Sequence, residues 1–401
     1  MFLAFALGAC PKPDSPPTSN DGGTTNSADA GDQEECHSST DWAIVNSSEL
    51  SGKIGDDLHY LLTRLDGRGG GVTQETAGDN TIAFVPGDPN NGWAVGHSGE
   101  VVRIQRKSNG NADATLSSFD LSTGELASVA PVDANQVWIA GKDSQNGGAS
   151  IFVTDNGGQN WTASTTTAIT FPSDNRTDTA SDRINALVAA ADGLHVLAVG
   201  RLGYGTALIL RTADGGKNWA SDTLDTLALP ADSQLESVTF ADMQTGYASG
   251  YHGTILKTVD GGEHWSKLSP NVSGSIHAIR CKDSQNCIAV GDSNVLLKTI
   301  DGGANWTSIH PPSGKSIDWA ALFIADQEVW IGGSDATIAH SADFGANWIT
   351  QTVGRARKES GQCVTFTLSA QVRSIVMLDA HYGWAVCANS SSNTGAVLRK
   401  F

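Results

Sequence analysis

The chain has 401 residues, enough for two ordinary domains or one large all-β domain. Its formal charge of -18 at pH 7 gives a surface that repels phosphate backbones, which argues against nucleic-acid binding and against broad electrostatic attachment to anionic lipid. Glycine is abundant, charged residues make up only 17%, and no long segment carries the 3.6-residue apolar period of a helix, so many short strands are expected.

The N-terminal MFLAFALGAC closes on Leu7-Gly8-Ala9-Cys10, which resembles a bacterial lipobox, with Cys10 as the lipidated residue. The apolar run before it is short and lacks a basic flank, so residues 1–10 read as an abbreviated leader. Residues 11–35 are rich in Pro, Ser, Asp, Gly and Thr, and such a composition cannot bury enough surface to fold. That segment is expected to be a flexible tether between the lipid and a folded domain spanning 36–401. The expected location is the cell envelope, at the outer membrane or cell surface in preference to the inner membrane, because Pro11 is not an acidic retention residue.

From residue 81 onward one unit recurs. An apolar or aromatic alternation ends in glycine at Gly96, Gly141, Gly200, Gly250, Gly291 and Gly332, and a seventh copy places Cys387 in the glycine slot. The spacings run from 41 to 59 residues, the period of propeller blades. The fourth unit shows the pattern most clearly. LESVTFAD (235–242), TGYASG (245–250), TILKTVD (254–260) and HWSKLS (264–269) read as strands A to D. Continuous apolar character in the inner strands implies burial on both faces. The last unit ends at GAVLRKF with no strand D, whereas DWAIV (41–45) carries Trp42 in the strand D register. The expected fold is therefore all-β, a single seven-bladed β-propeller closed by pairing an N-terminal strand D into the last blade, monomeric and free of exposed sheet edges.

Between strands C and D stands TADGGKNW (212–219), then TVDGGEHW (258–265), TIDGGANW (299–306) and SADFGANW (341–348). The acids are Asp214, Asp260, Asp301 and Asp343, with Asn156 in the corresponding slot of TDNGGQNW, and the tryptophans are Trp161, Trp219, Trp265, Trp306 and Trp348. Glycine permits the turn, the acid accepts backbone N–H bonds within it, and the tryptophan packs between strands, a burial worth about 2–3 kcal/mol. One acid per turn makes no paired carboxylate site, so these residues read as structural. The pattern is the Asp box, or BNR repeat. Together with the glycine-terminated alternation, it resembles the photosystem II stability/assembly factor-like family of seven-bladed propellers over most of residues 80–401. That resemblance implies an exported, non-catalytic scaffold; it does not transfer a photosynthetic partner.

Strand direction puts the A–B and C–D turns on one face and the B–C and D–A connections on the other. Length varies in the second set, at 162–182, 220–234, 349–370, 142–148, 201–206 and 388–394, and variable loops on a rigid frame are where recognition concentrates. Arg176, Arg183, Arg201, Tyr204, Tyr251, His252, Arg355, Arg357 and Lys358 fall there and could receive an acidic peptide, head group or glycan acid. Cys281 and Cys287 are spaced to bridge a hairpin, and Cys363 and Cys387 are expected to bridge on the variable face, leaving Cys36 without a partner. No metal or cofactor motif is present. The expected function is a membrane-tethered binding or assembly scaffold for a protein or other envelope component. The alternative is a sialidase-like glycan hydrolase, which would need two carboxylates about 5–10 Å apart.

Overall fold

A computed structural model describes residues 42–44, 81–96, 99–105, 118–120, 124–143, 148–164, 182–203, 205–221, 224, 227–310, 315–351, 353–359, 362–367, 371–377, 383–389 and 394–400. Contacts divide the chain into Met1–Glu35 and Cys36–Phe401, and the described residues all belong to the second unit. Cys10, the tether and Cys36 lie outside them.

Apart from turns and isolated 3-10 positions, such as Ser334–Ala336, the regular structure of the described residues is all β. The first strand, β1, is Trp42–Ile44. Six four-stranded antiparallel sheets follow, each in simple sequential order. The first contains β2 (Thr81–Val85), β3 (Asp88–Val95), β4 (Glu100–Gln105) and β5 (Ser118–Asp120). The second contains β6 (Gly124–Pro131), β7 (Val137–Asp143), β8 (Gly148–Thr154) and β9 (Thr162–Ala163). The third contains β10 (Arg183–Ala189), β11 (Val196–Leu202), β12 (Thr206–Thr212) and β13 (Ala220–Ser221). The fourth contains β14 (Leu235–Phe240), β15 (Gly246–Gly250), β16 (Ile255–Thr258) and β17 (Ser266–Leu268). The fifth contains β18 (Ile276–Cys281), β19 (Cys287–Gly291), β20 (Leu296–Thr299) and β21 (Thr307–Ser308). The sixth contains β22 (Trp319–Ala325), β23 (Glu328–Gly333), β24 (Ile338–Ser341) and β25 (Ile349–Gln351).

A seventh sheet has six strands. β26 (Val353–Glu359), β27 (Gln362–Thr367), β28 (Gln371–Met377), β29 (Gly383–Asn389) and β30 (Thr394–Lys400) join β1 in the order β27-β26-β1-β30-β29-β28. β1 occupies the fourth-strand position, antiparallel to β30 with Ala43 opposite Arg399 and Ile44 opposite Leu398. On its other side β1 runs parallel to β26, with Trp42 opposite Val353. The segment 349–370, expected as a variable loop, is thus mostly a hairpin that extends this sheet. The second half, QCVTFT, carries β-branched and aromatic residues that favour a strand, whereas the first, VGRARKE, does not announce one, so the repeat pattern alone does not reveal the hairpin.

The same strand order overturns the expected Cys363–Cys387 bridge. Cys363 lies in β27 and Cys387 in β29, with β26, β1 and β30 between them. Four strand spacings of about 4.8 Å separate those positions, and a disulfide needs Cα atoms within about 7 Å. Cys281 and Cys287 stand directly opposite each other at the ends of β18 and β19, and they are disulfide-bonded.

The core lies between sheets. One apolar cluster joins Leu197, Val199 and Ile209 of the third sheet to Val238, Ala248 and Leu256 of the fourth, and another joins Val290 and Leu296 of the fifth to Trp319 and Ile331 of the sixth. Strands β15 and β19 are buried along their whole length, as both faces are covered. First strands pack on first strands, from β2 through β6, β10, β14, β18 and β22 to β28, and β28 also packs on β2.

The five box turns share one hydrogen-bond design. The Thr258 hydroxyl donates to Asp260 Oδ1 at 2.8 Å and accepts the Gly262 N–H at 2.9 Å. Asp260 Oδ1 also accepts the His264 N–H at 2.9 Å. Thr154, Thr212, Thr299 and Ser341 make the equivalent pair of bonds in their own turns. Gly261 and Gly262 adopt φ of 77° and 93°, the left-handed region that favours glycine, although Phe344 takes the first of these two positions in the sixth sheet at φ 53°. A cation then ties each of three turns to the preceding sheet. Arg103 donates to Gly157 O at 3.0 Å, Lys257 to Gly302 O at 2.6 Å and Lys298 to Phe344 O at 2.7 Å. Arg103 and Lys257 also lie over the rings of Trp93 and Tyr247.

Because the buried Thr258 hydroxyl serves two partners, Thr258→Val keeps the shape and orphans the Gly262 N–H. It should lower unfolding free energy by about 1–3 kcal/mol in a urea titration, with an unchanged m-value.

Candidate partner-binding surface

The N-terminal ends of the first strands, with the adjoining ends of the second strands, make the surface on which the expected recognition residues would gather. A β-bulge marks that end in six sheets. The register slips between Leu126 and Ser128, Ile184 and Ala186, Leu235 and Ser237, Ile276 and Ala278, Trp319 and Ala321, and Val372 and Ser374. A bulge re-aims the extra side chain. The residues so displaced are Ala127, Asn185, Glu236, His277, Ala320 and Arg373. The bulge also accounts for the recurring glycine in the second strand. A β-carbon at Gly141, Gly200, Gly250 or Gly291 would collide with the carbonyl of the residue that enters the neighbouring first strand.

A polar chain runs from the third sheet to the fifth through these positions. Arg201 Nη1 donates to Gln234 Oε1 at 3.2 Å, and Gln234 Nε2 donates to Glu236 Oε1 at 2.9 Å. His277 Nδ1 meets Glu236 Oε2 at 3.1 Å, and its Nε2 meets Asp292 Oδ1 at 2.7 Å. With a carboxylate at each ring nitrogen, the doubly protonated imidazolium is the form that satisfies both. Burial pulls the His277 pKa down, but the bonds and charges of Glu236 and then Asp292 outweigh it and raise it to about 9. On Asp292, burial is likewise overcome by the bond from His277, and its pKa is lowered. In the third sheet Arg183 donates to Glu125 Oε2 of the second at 3.0 Å, and Asn185 donates to Leu235 O of the fourth at 2.8 Å.

Of the expected recognition residues, Arg183 and Arg201 face each other across β10 and β11 and join this surface. Tyr251 and His252 form the β15–β16 turn with edge-to-face rings, His252 at φ 57°. Arg176 and Tyr204 lie outside the described residues. Arg355, Arg357 and Lys358 belong to β26, so they sit on a strand of the extended sheet and not on a loop; their side chains lie outside the description. Glu125, Glu236, His277 and Asp292 were not anticipated. The available signal was a polar, ionisable residue set directly after an apolar one near the start of a largely buried first strand, as in L-E-S-V and I-H-A-I.

The box acids are confined to the opposite ends of the strands. The N–H and side chain of Asn218 hold Asp214 down to about 2, and Asn347 does the same for Asp343. Among the described residues the one grouping compact enough for an ion is Asp260, Glu263 and His264, where Asp260 is already bonded to Thr258 and His264.

A family model described as photosynthesis system II assembly factor YCF48 matches residues 188–285, 221–311 and 269–365 in overlapping windows. No curated protein sequence matches the chain. Among solved structures, YCF48 bound to D1 peptide is similar at TM-score 0.55 and 17% identity, covering 82% of this chain and 95% of that one. YCF48 from Cyanidioschyzon merolae gives TM-score 0.55 at 18% identity, covering 82% and 97%. The GH74 xyloglucanase from Xanthomonas campestris gives TM-score 0.58 at 16% identity, covering 79% of this chain and 52% of that one. The chain therefore has the resemblance to the assembly-factor propellers that its repeats indicate, with a fold also common to larger GH74 enzymes.

His277 gains its proton affinity on folding, so its contribution is complete below about pH 6.5 and is lost as pH rises through about 9. Thermal melts of the native chain should lose stability across that window, and His277→Gln should flatten this part of the profile.

Proposed function

We propose that this chain is an exported, membrane-tethered scaffold that binds a protein partner through the bulged ends of its first strands and the connections beside them. On this reading the seven sheets close into a monomeric seven-bladed propeller, with β1 as the latch. Support comes from the packing of β28 on β2 and the pairing of β1 with β30. Cys10 carries the lipid and residues 11–35 the tether, which favours the outer membrane or cell surface.

The polar chain from Arg201 to Asp292 is the observation that carries the scaffold reading. It puts cationic and anionic groups from adjacent sheets on one surface, but the acids are already committed: Glu236 and Asp292 both bond His277. A glycosidase requires one carboxyl free to donate a proton and another free to attack or activate water. The YCF48 structure holding a D1 peptide supports a polypeptide ligand for the scaffold class. Arg201, half-buried at the end of β11, is of the residue type that suits an acidic segment. The GH74 likeness leaves glycan hydrolysis as the second reading.

Two measurements test this. Arg201→Glu, combined with replacement of residues 165–181 by a short Gly-Ser link, should cut recovery of a partner from detergent-solubilised envelopes at least tenfold; undiminished recovery refutes the face assignment, and xyloglucan turnover refutes the scaffold. Cys10→Ser should abolish incorporation of a fatty-acid analogue, and retained label refutes the tether.

A further inference from the structure

Among the described residues the exposed large hydrophobic side chains are Leu194, Met243, Val259, Ile300 and Ile349, between 48% and 68% accessible. All five lie in, or immediately beside, the A–B and C–D turns, at the end of the sheets away from the bulges. Leu194 is in the β10–β11 turn, Met243 in the β14–β15 turn, Val259 and Ile300 in the box turns of the fourth and fifth sheets, and Ile349 opens β25.

Four of them belong to consecutive sheets whose turns are linked. Within a sheet, the box turn bonds the first turn: Gly215 N–H to Leu194 O at 3.1 Å, Gly261 N–H to Gln244 O at 2.9 Å and Gly302 N–H to Gln285 O at 2.9 Å. Between sheets, Arg211 lies 3.9 Å from Glu263 in the next box turn, and Lys257 reaches Gly302 O in the one after. Tyr247 also donates its hydroxyl to Ser284 O in the turn of the fifth sheet.

The turn itself does not ask for an aliphatic side chain at these places. The slot between the hydroxyl residue and the acid holds Ala213 in the third sheet and Ala342 in the sixth, both in turns with the same bonds. Val259 and Ile300 occupy that slot at 66% and 68% exposure and bond nothing through their side chains. Single exposed aliphatics are ordinary; several on adjoining turns of one face mark an interaction surface.

The surrounding charge specifies what would cover them. Asp192, Asp242, Asp260, Glu263, Asp283 and Asp301 stand in the same turns. The N–H groups of Leu194 and His195 bond Asp192, and those of Gln285 and Asn286 bond Asp283, which keeps these carboxylates ionised. Of the nearby cations, Lys257 and Lys298 bond carbonyls of the next turn and Lys282 bonds Asp326 at 2.9 Å, and the exposed Lys217 of the third sheet's box turn is outnumbered by these acids.

We propose that the turns of the third to fifth sheets form a second docking surface, which takes a polypeptide segment combining basic and aliphatic side chains. It lies at the opposite ends of the strands from the surface assigned above and would let one scaffold hold two partners of opposite charge. The aliphatic contacts supply affinity and the carboxylates select a cationic segment.

The test is fluorescence anisotropy of the full chain with a labelled amphipathic leucine-lysine peptide, against polylysine and a leucine-glutamate peptide of equal length. The leucine-lysine peptide should bind saturably, more tightly than either comparator, and more weakly as salt is raised. Val259→Ala with Ile300→Ala should weaken it roughly tenfold or more at an unchanged melting temperature. Arg201→Glu should leave it unchanged. Hydrogen exchange should show protection at Leu194, Met243 and Ile300 and none at Glu236 or His277. Equal binding by the double variant, by polylysine or by the leucine-glutamate peptide overturns the proposal, as does protection at the bulged end or the absence of saturable binding.

Discussion

A four-stranded sheet with apolar residues on both faces cannot be stable alone, and that constraint organises the molecule. Each apolar cluster here is completed by the next sheet in sequence. Strands such as β15 and β19 survive as uninterrupted apolar runs only because neighbours cover them on both sides. Each sheet must therefore be held at a set distance and angle from the next, and the polar interactions at the two ends of the strands set that relationship.

The two ends do so differently. At the box end, the hydroxyl, carboxylate and glycine turn is self-satisfied, and a cation from the preceding sheet fastens onto its outward carbonyl, as Lys257 does on Gly302. That end is stiff and repetitive. At the other end the bulge throws out one residue in each of six first strands, and what it throws out differs from sheet to sheet, as with Asn185, Glu236, His277 and Arg373. Repetition at one end leaves the other free to vary, which is why the ion chain from Arg201 to Asp292 and the repeated turns can coexist on one frame. The short strand β1 shows the same economy. A strand of three residues is marginal alone, yet β1 is bonded by β30 on one side and β26 on the other.

Much of the frame is legible in the sequence because its determinants are local. The strand limits read for the fourth unit fall within a few residues of β14 to β17, since alternation, turn glycine and tryptophan each mark a boundary. The role of Asp260 was readable for the same reason: its partners, Thr258 and His264, are two and four residues away. Trp42 disclosed the origin of β1 because it repeats a register known from five other units. Arg183 and Arg201 were legible as residents of one surface, but their partners were not, since Glu125 and Gln234 come from other sheets.

Residues such as Thr258 and Gly262 determine their own turns, because every partner lies within one turn of chain. What depends on two distant segments was decided only by assembly. The bridge expected between Cys363 and Cys387 fails because β26, β1 and β30 intervene, an order that no spacing in the chain encodes. The recurring glycine of the second strand was visible as a pattern, but its cause, a carbonyl pressed against it by a bulge in the neighbouring strand, exists only in three dimensions. The His277 ion group belongs to the same class. Its two carboxylates come from residues 41 positions before it and 15 after it; the packing of β14 on β18 brings Glu236 to the imidazole, and the pairing of β19 with β18 brings Asp292.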